Sequence, residues 1–184
     1  MHRLLLCLAA LALAAPLVGC ADNSGGPPPD GTALEEFTSI AMDPGGLFCD
    51  FFRDDAFLIH DGSEAADFLA NDCAGNNQEV QDAVVAVADD LEEGEAIVVV
   101  SVQLGGCLGE WGVHGFYMSE DESTVTAWVL RGDSAYGKQN VACPADIGGA
   151  IELYRVMDAA AATEADILVG PYNPGLPGAP AQPG

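Results

Sequence analysis

The chain reads as an α+β domain with a mainly antiparallel sheet, one or two helices in its first half and two disulfides. Three observations lead there. Strand-like apolar runs outnumber helical ones, helical periodicity is confined to residues 61–94, and four cysteines, Cys49, Cys73, Cys107 and Cys143, fall in the body of the chain, well beyond an exported leader.

Residues 37–42 form a first strand, stopped by the turn Asp43-Pro44-Gly45-Gly46. Ala56, Phe57, Leu58 and Ile59 make a second. A short helix follows: Asp61 with Glu64 fits a capping box, Ser63 is the alternative cap, and Ala65, Phe68 and Leu69 share one face. After the loop at Cys73, Asn76 with Glu79 repeats the capping pattern. Val80, Val84, Val87 and Leu91 then recur at helical spacing up to Gly94, which outweighs the strand propensity of valine.

Residues 96–104, Ala-Ile-Val-Val-Val-Ser-Val-Gln-Leu, are apolar on both faces at first, as a central buried strand should be. Gly105-Gly106 ends it. Residues 111–118 and 124–130 form a hairpin around the polar turn at 119–123. In its second arm Val125, Ala127 and Val129 alternate with Thr124, Thr126 and Trp128. Residues 131–143 read as a loop and 151–156 as a closing strand. Ala159 to Ala162 can add a short helix, and the Pro/Gly/Ala-rich end lacks core residues.

The leader is short: His2 and Arg3, then an apolar run of about 15 residues, below the roughly 20 that a membrane span needs. It ends in Leu17-Val18-Gly19-Cys20, which resembles the lipobox of bacterial lipoprotein precursors. That resemblance implies a diacylglyceryl group on Cys20, cleavage before it and acylation of the new amino terminus, a multi-chain anchor that holds stably. The division is then a signal peptide at 1–19, a lipidated Gly/Pro-rich tether at 20–33, one globular domain at 34–157 and a tail at 158–184, expected to be disordered. The address is the bacterial cell envelope. In the lipoprotein resemblance an aspartate directly after the cysteine favours inner-membrane retention; Ala21 stands there, so the outer membrane is preferred.

An oxidising compartment pairs the remaining cysteines. Cys49 with Cys73 and Cys107 with Cys143 is the preferred pairing, because each then closes a loop within one half of the domain, although spacing alone leaves all three pairings open. Structural zinc lacks the close Cys spacing it favours.

Arg53, Arg131, Lys138 and Arg155 alone face 29 acidic residues in the exported part. Such a surface repels nucleic acid and anionic membranes. The plain reading is solubility in a salty medium; the sharper one is attraction to cations or to a basic partner. No catalytic constellation stands out and no cofactor is implied. His60 beside Asp61, or His114 in the hairpin, could act as a base, but no G-x-S-x-G elbow accompanies them. The acidic runs Asp54-Asp55, Asp89-Asp90, Glu92-Glu93 and Glu120-Asp121-Glu122 suit a hydrolase using His60, a calcium-dependent enzyme or a calcium-buffering surface. None has the spacing of a calcium loop. Arg131-Gly132-Asp133 reads as a turn. Trp111, Phe116, Tyr117 and Trp128, on the hairpin arms, are the candidate partner-binding residues, with core packing as the alternative.

The sequence of a helix, Ile97-Val98-Val99-Val100, Gly105-Gly106, Phe116-Tyr117-Met118, Val125-Thr126-Ala127-Trp128-Val129 and Ile151-Glu152-Leu153-Tyr154-Arg155-Val156 resembles the PrcB-like family, the small lipoprotein subunits of dentilisin-type protease complexes. The resemblance covers about half the chain. It departs at Cys107-Leu108-Gly109-Glu110, where the family continues into strand, and at Gly149-Ala150, where a proline is usual. It implies a non-catalytic module that binds an envelope or secreted protein, an exported protease among the options.

Overall fold

The computed structural model describes residues 28–40, 47–49, 53–104, 111–132 and 148–172. In chain order the elements are β1 (Thr32–Leu34), β2 (Phe37–Ile40), β3 (Asp55–Ile59), α1 (Gly62–Asp72), α2 (Gln78–Asp89), β4 (Ala96–Leu104), β5 (Trp111–Met118), β6 (Thr124–Gly132), β7 (Gly148–Val156) and β8 (Glu164–Tyr172). The strands form two four-stranded sheets, ordered β1-β5-β6-β8 and β2-β7-β4-β3. Both helices cover the second sheet, which makes it the middle of three layers.

The side-chain period of β4 explains this stacking. Val98, Val100 and Val102 point toward Phe116, Val125 and Val129 of the outer sheet. Ile97 and Val99 point the other way, onto Leu69 and Val84 of the helices. All seven of these β4 and helix side chains are essentially unexposed, and burying each is worth about 1.5–3 kcal/mol. With β7 on one side and β3 on the other, β4 is central, as its doubly apolar run requires.

Helix α1 starts where Asp61 Oδ1 accepts from the N–H groups of Ser63 (2.8 Å) and Glu64 (2.9 Å). The expected reciprocal half of the capping box is displaced by one residue, since Glu64 accepts from the His60 N–H at 2.8 Å. Ala65, Phe68 and Leu69 are buried as expected. For α2 the cap is Asn77, whose side chain accepts from Val80 N–H, and not Asn76. Asn76 instead pins segment 47–49: its Oδ1 accepts from Phe48 N–H (2.9 Å), and its Nδ2 donates to the carbonyls of Phe48 (2.5 Å) and Cys73 (2.6 Å). The helix ends at Asp89, before the expected Gly94 stop; Gly94 supplies the turn into β4 at φ +98°.

Cys49 is bonded to Cys73. The second expected pair, Cys107 with Cys143, lies outside the described residues, as do Cys20 and the leader. Strand 37–42 is described through Ile40.

The strand pairing is mainly antiparallel, as expected; among the described strands only β6 and β8 pair parallel, because the chain crosses to the middle sheet through β7 before returning. Two expectations need correction. The domain does not end at residue 157. Ala159 and Ala162 are buried in a turn, not a helix, and β8 carries the outer sheet to Tyr172. Its start is fixed beside that of β6, since the N–H groups of Thr163 (2.9 Å) and Glu164 (3.1 Å) donate to the Ser123 carbonyl. At the other boundary, Thr32 and Ala33 already belong to β1 and not to the tether. β1 and β2 are edge strands of different sheets separated only by Glu35-Glu36, so one run of chain turns the corner between them.

Candidate functional site

A bulge in β5 decides where the hairpin aromatics go. The register with β6 shifts between Val113 and Gly115, which reverses the alternation after His114. Val113 and Phe116 therefore both face the core. Phe116 is unexposed and packs edge-on to Phe37 (ring centroids 5.1 Å apart) and against Tyr154 (5.3 Å). It is a core residue with no surface to offer a partner. Trp111 is half-buried against the same core.

Tyr117 and Trp128 meet on the opposite face of the outer sheet. Their ring centroids are 6.1 Å apart, and the His114 ring lies edge-on to Trp128 at 4.5 Å. Trp128 is only 8% exposed. Its Nε1 and His114 Nδ1 are buried without a hydrogen-bond partner among the described residues. The hairpin thus divides the four aromatics between two faces.

His60 joins two elements. Its Nδ1 lies 2.9 Å from Glu64 Oε2 and its Nε2 2.9 Å from the Ala162 carbonyl, so it ties the start of α1 to the β7–β8 connection. Both ring nitrogens face acceptors, and His60 does not line the cleft described next.

The acidic runs fare differently from one another. Arg155 takes up part of the 89–95 run, with Asp90 at 3.5 Å and Glu95 at 3.4 Å. In the hairpin turn, Asp121 Oδ1 accepts from the hydroxyls of Ser119 (2.7 Å) and Ser123 (2.8 Å) and from Ser123 N–H (3.2 Å). These donors, Ser119 first, hold its carboxyl well below the ordinary range, at about 2. The network fixes a tight turn in which Glu122 sits at φ +58°, with its N–H donating to the Ser119 carbonyl at 3.0 Å. No group of three or more His, Cys, Asp or Glu side chains is arranged to hold a metal among the described residues.

What the fold does assemble is a cleft of about 870 Å³ beside β1 and the turn of the β5–β6 hairpin. β1 and the Glu35-Glu36 corner line one wall, the 119–122 turn lies beside them, and Glu93, Gly94, Asp158 and Ala160-Ala161 complete it. Leu34 and Met118 provide apolar lining. The acidic residues in the lining, Glu35, Glu36, Glu93, Glu120, Glu122 and Asp158, come from four separate segments. A concave wall of one sign focuses the field and concentrates counter-charge.

The arginines that are described lie elsewhere. Arg53 pairs with Asp55 at 2.6 Å, Arg131 lies 3.6 Å from Asp54 and donates to the Gln103 carbonyl at 2.9 Å, and Arg155 is committed as above. None of the three lines the cleft. No described helix is long and apolar enough to cross a membrane. Comparison with protein-family models, with curated proteins and with solved structures finds no match to this chain.

Proposed function

We propose that this is an exported, lipid-anchored protein of the bacterial cell envelope whose role is binding and not catalysis. The cleft beside β1 receives a cationic segment of another envelope or secreted protein. The observation that carries this reading is the cleft itself: six acidic residues line one concavity, with no described arginine among them. Its size suits several side chains and not a single ion. Cys20 as a lipidated residue supplies the anchor, and the protease-subunit resemblance makes an exported protease the first partner to try.

Two measurements test the reading. Mass spectrometry of the membrane-extracted protein should find Cys20 acylated at a new amino terminus; an unmodified thiol there removes the anchor. Titration with a synthetic octalysine peptide should give binding that weakens steeply with salt. It should drop about tenfold or more when Glu35, Glu36, Glu120 and Glu122 are all replaced by Gln, about 1.4 kcal/mol lost across four charges. Equal binding by that variant would refute the cleft as the site.

A further inference from the structure

We propose that the occupant of this region binds as an added β-strand on the free edge of β1, presenting Lys or Arg side chains to the cleft carboxylates; the inference rests on the cationic-partner reading above.

The edge geometry carries it. β1 pairs with β5 on one side only, with Thr32 opposite Met118 and Leu34 opposite Phe116. In an antiparallel pair alternate residues direct both N–H and C=O away from the partner. Along β1 those groups have no strand beside them among the described residues. The edges on the opposite side of the sandwich, β3 and β8, lie close to one another, so among the described residues the open side is the run from Thr32 through β2. That run is exposed at Thr32, Ala33, Thr38 and Ser39, and Phe37 keeps 36% of its surface.

An unpaired edge invites any extended chain, and charge selects among them. A second copy of this protein would bring its own Glu35 and Glu36 against the first, so self-pairing is disfavoured. An acidic or neutral strand gains the ladder bonds alone. A strand with basic residues at every second position gains both, because one of its faces then meets the cleft while its backbone extends the outer sheet.

The test uses the mature chain and acetylated, amidated octapeptides of three kinds and equal charge. The first alternates Lys and Val; the second alternates Lys and Pro, which has no N–H to complete a ladder; the third is the Lys-Val peptide N-methylated at every second residue, made in both phases. The Lys-Val peptide should bind about tenfold or more tightly than the Lys-Pro peptide, and only one of the two N-methylation phases should abolish that advantage, as expected when two or more ladder bonds are lost. Hydrogen exchange should show at least one β1 amide newly protected on binding. If all the peptides bind equally and β1 exchange is unchanged, the strand-addition mode is overturned while the cationic-partner reading stands. If none binds, both fall.

Discussion

Replacing Cys49 and Cys73 together by alanine opens a loop whose ends are 24 positions apart. That loop contains β3 and α1, so the bridge restrains an edge strand of the middle sheet and one of the two helices packed on it. For a loop of this length the chain-entropy relation gives about 3.5 kcal/mol at 25 °C. Cys73 is unexposed and Cys49 nearly so, which means that the two lost sulfurs also leave a packing defect in the helical layer. Set against a typical total of about 5–15 kcal/mol, the loss is large. Urea unfolding of the double variant should show a midpoint shift equivalent to about 3–4 kcal/mol, and the melting temperature should fall by about 10 °C. Alanine at both positions removes both partners of the bridge, so neither is left as a lone thiol. A loss below about 1 kcal/mol at unchanged m-value would refute the argument, because the bridge would then not be restraining the unfolded chain.

The α1 cap is a smaller and more local test: Asp61→Ala removes acceptance from two N–H groups and should cost about 1 kcal/mol in denaturant unfolding. The Asp121 carboxyl titrates at about 2 in the fold, below its ordinary 3.8, so its contribution to stability is complete above about pH 4 and is lost as pH falls toward 2. Asp121→Asn should flatten the acid limb of the stability profile in that window, and an unchanged limb would contradict the assignment. Tyr154 behaves in the opposite sense: burial, then its hydrogen bond to and charge repulsion from Glu152, push the phenol above its ordinary 10.0. Its contribution is present below pH 10 and declines above it, so Tyr154→Phe should reduce the alkaline loss of stability followed by circular dichroism.

Much of the middle layer was legible in the residues. Five apolar positions in succession within β4 have no polar face to offer, so burial on both sides is forced. In α2 the valines favour a strand one by one, but Val80 and Val84 lie one helical turn apart on the buried face and their burial outweighs propensity. Phe116 was harder. Strict alternation from Trp111 assigns Phe116 to the face opposite Val113, and only the bulge at His114 brings both inward. Gly112 and Gly115 in one short strand were the available signal, since glycine inside a strand often marks a bulge. β8 was hidden for another reason. Ala165, Ile167 and Val169 do alternate with Glu164, Asp166 and Leu168, but Gly170-Pro171 looks like tail. The proline is tolerated because β8 is an edge strand, and its parallel partner β6 lies far away in sequence. The cleft had no linear signature. Each acidic segment reads alone as a solvated loop, and only the meeting of β1, two turns and the β7–β8 connection makes them one wall.

That convergence has an energetic consequence that separates a selected binding wall from incidental surface charge. Like charges around a concavity repel, and the described arginines that could offset them pair at other places in the fold. Elsewhere the fold relieves such repulsion: Asp54 and Asp55 each face an arginine, and Asp121 has three donors. Glu120 and Glu122 flank that well-satisfied turn yet line the cleft. Replacing both by Gln should therefore stabilise the free protein by roughly a few tenths of a kcal/mol at low ionic strength, an increment that vanishes as salt screens the wall. The same variant should bind octalysine more weakly. Stability gained and binding lost by one substitution is the pattern of a site kept away from its stability optimum by what it binds. If the free protein instead loses stability and its octalysine binding is unchanged, the two carboxylates are parts of the turn and not of a binding wall.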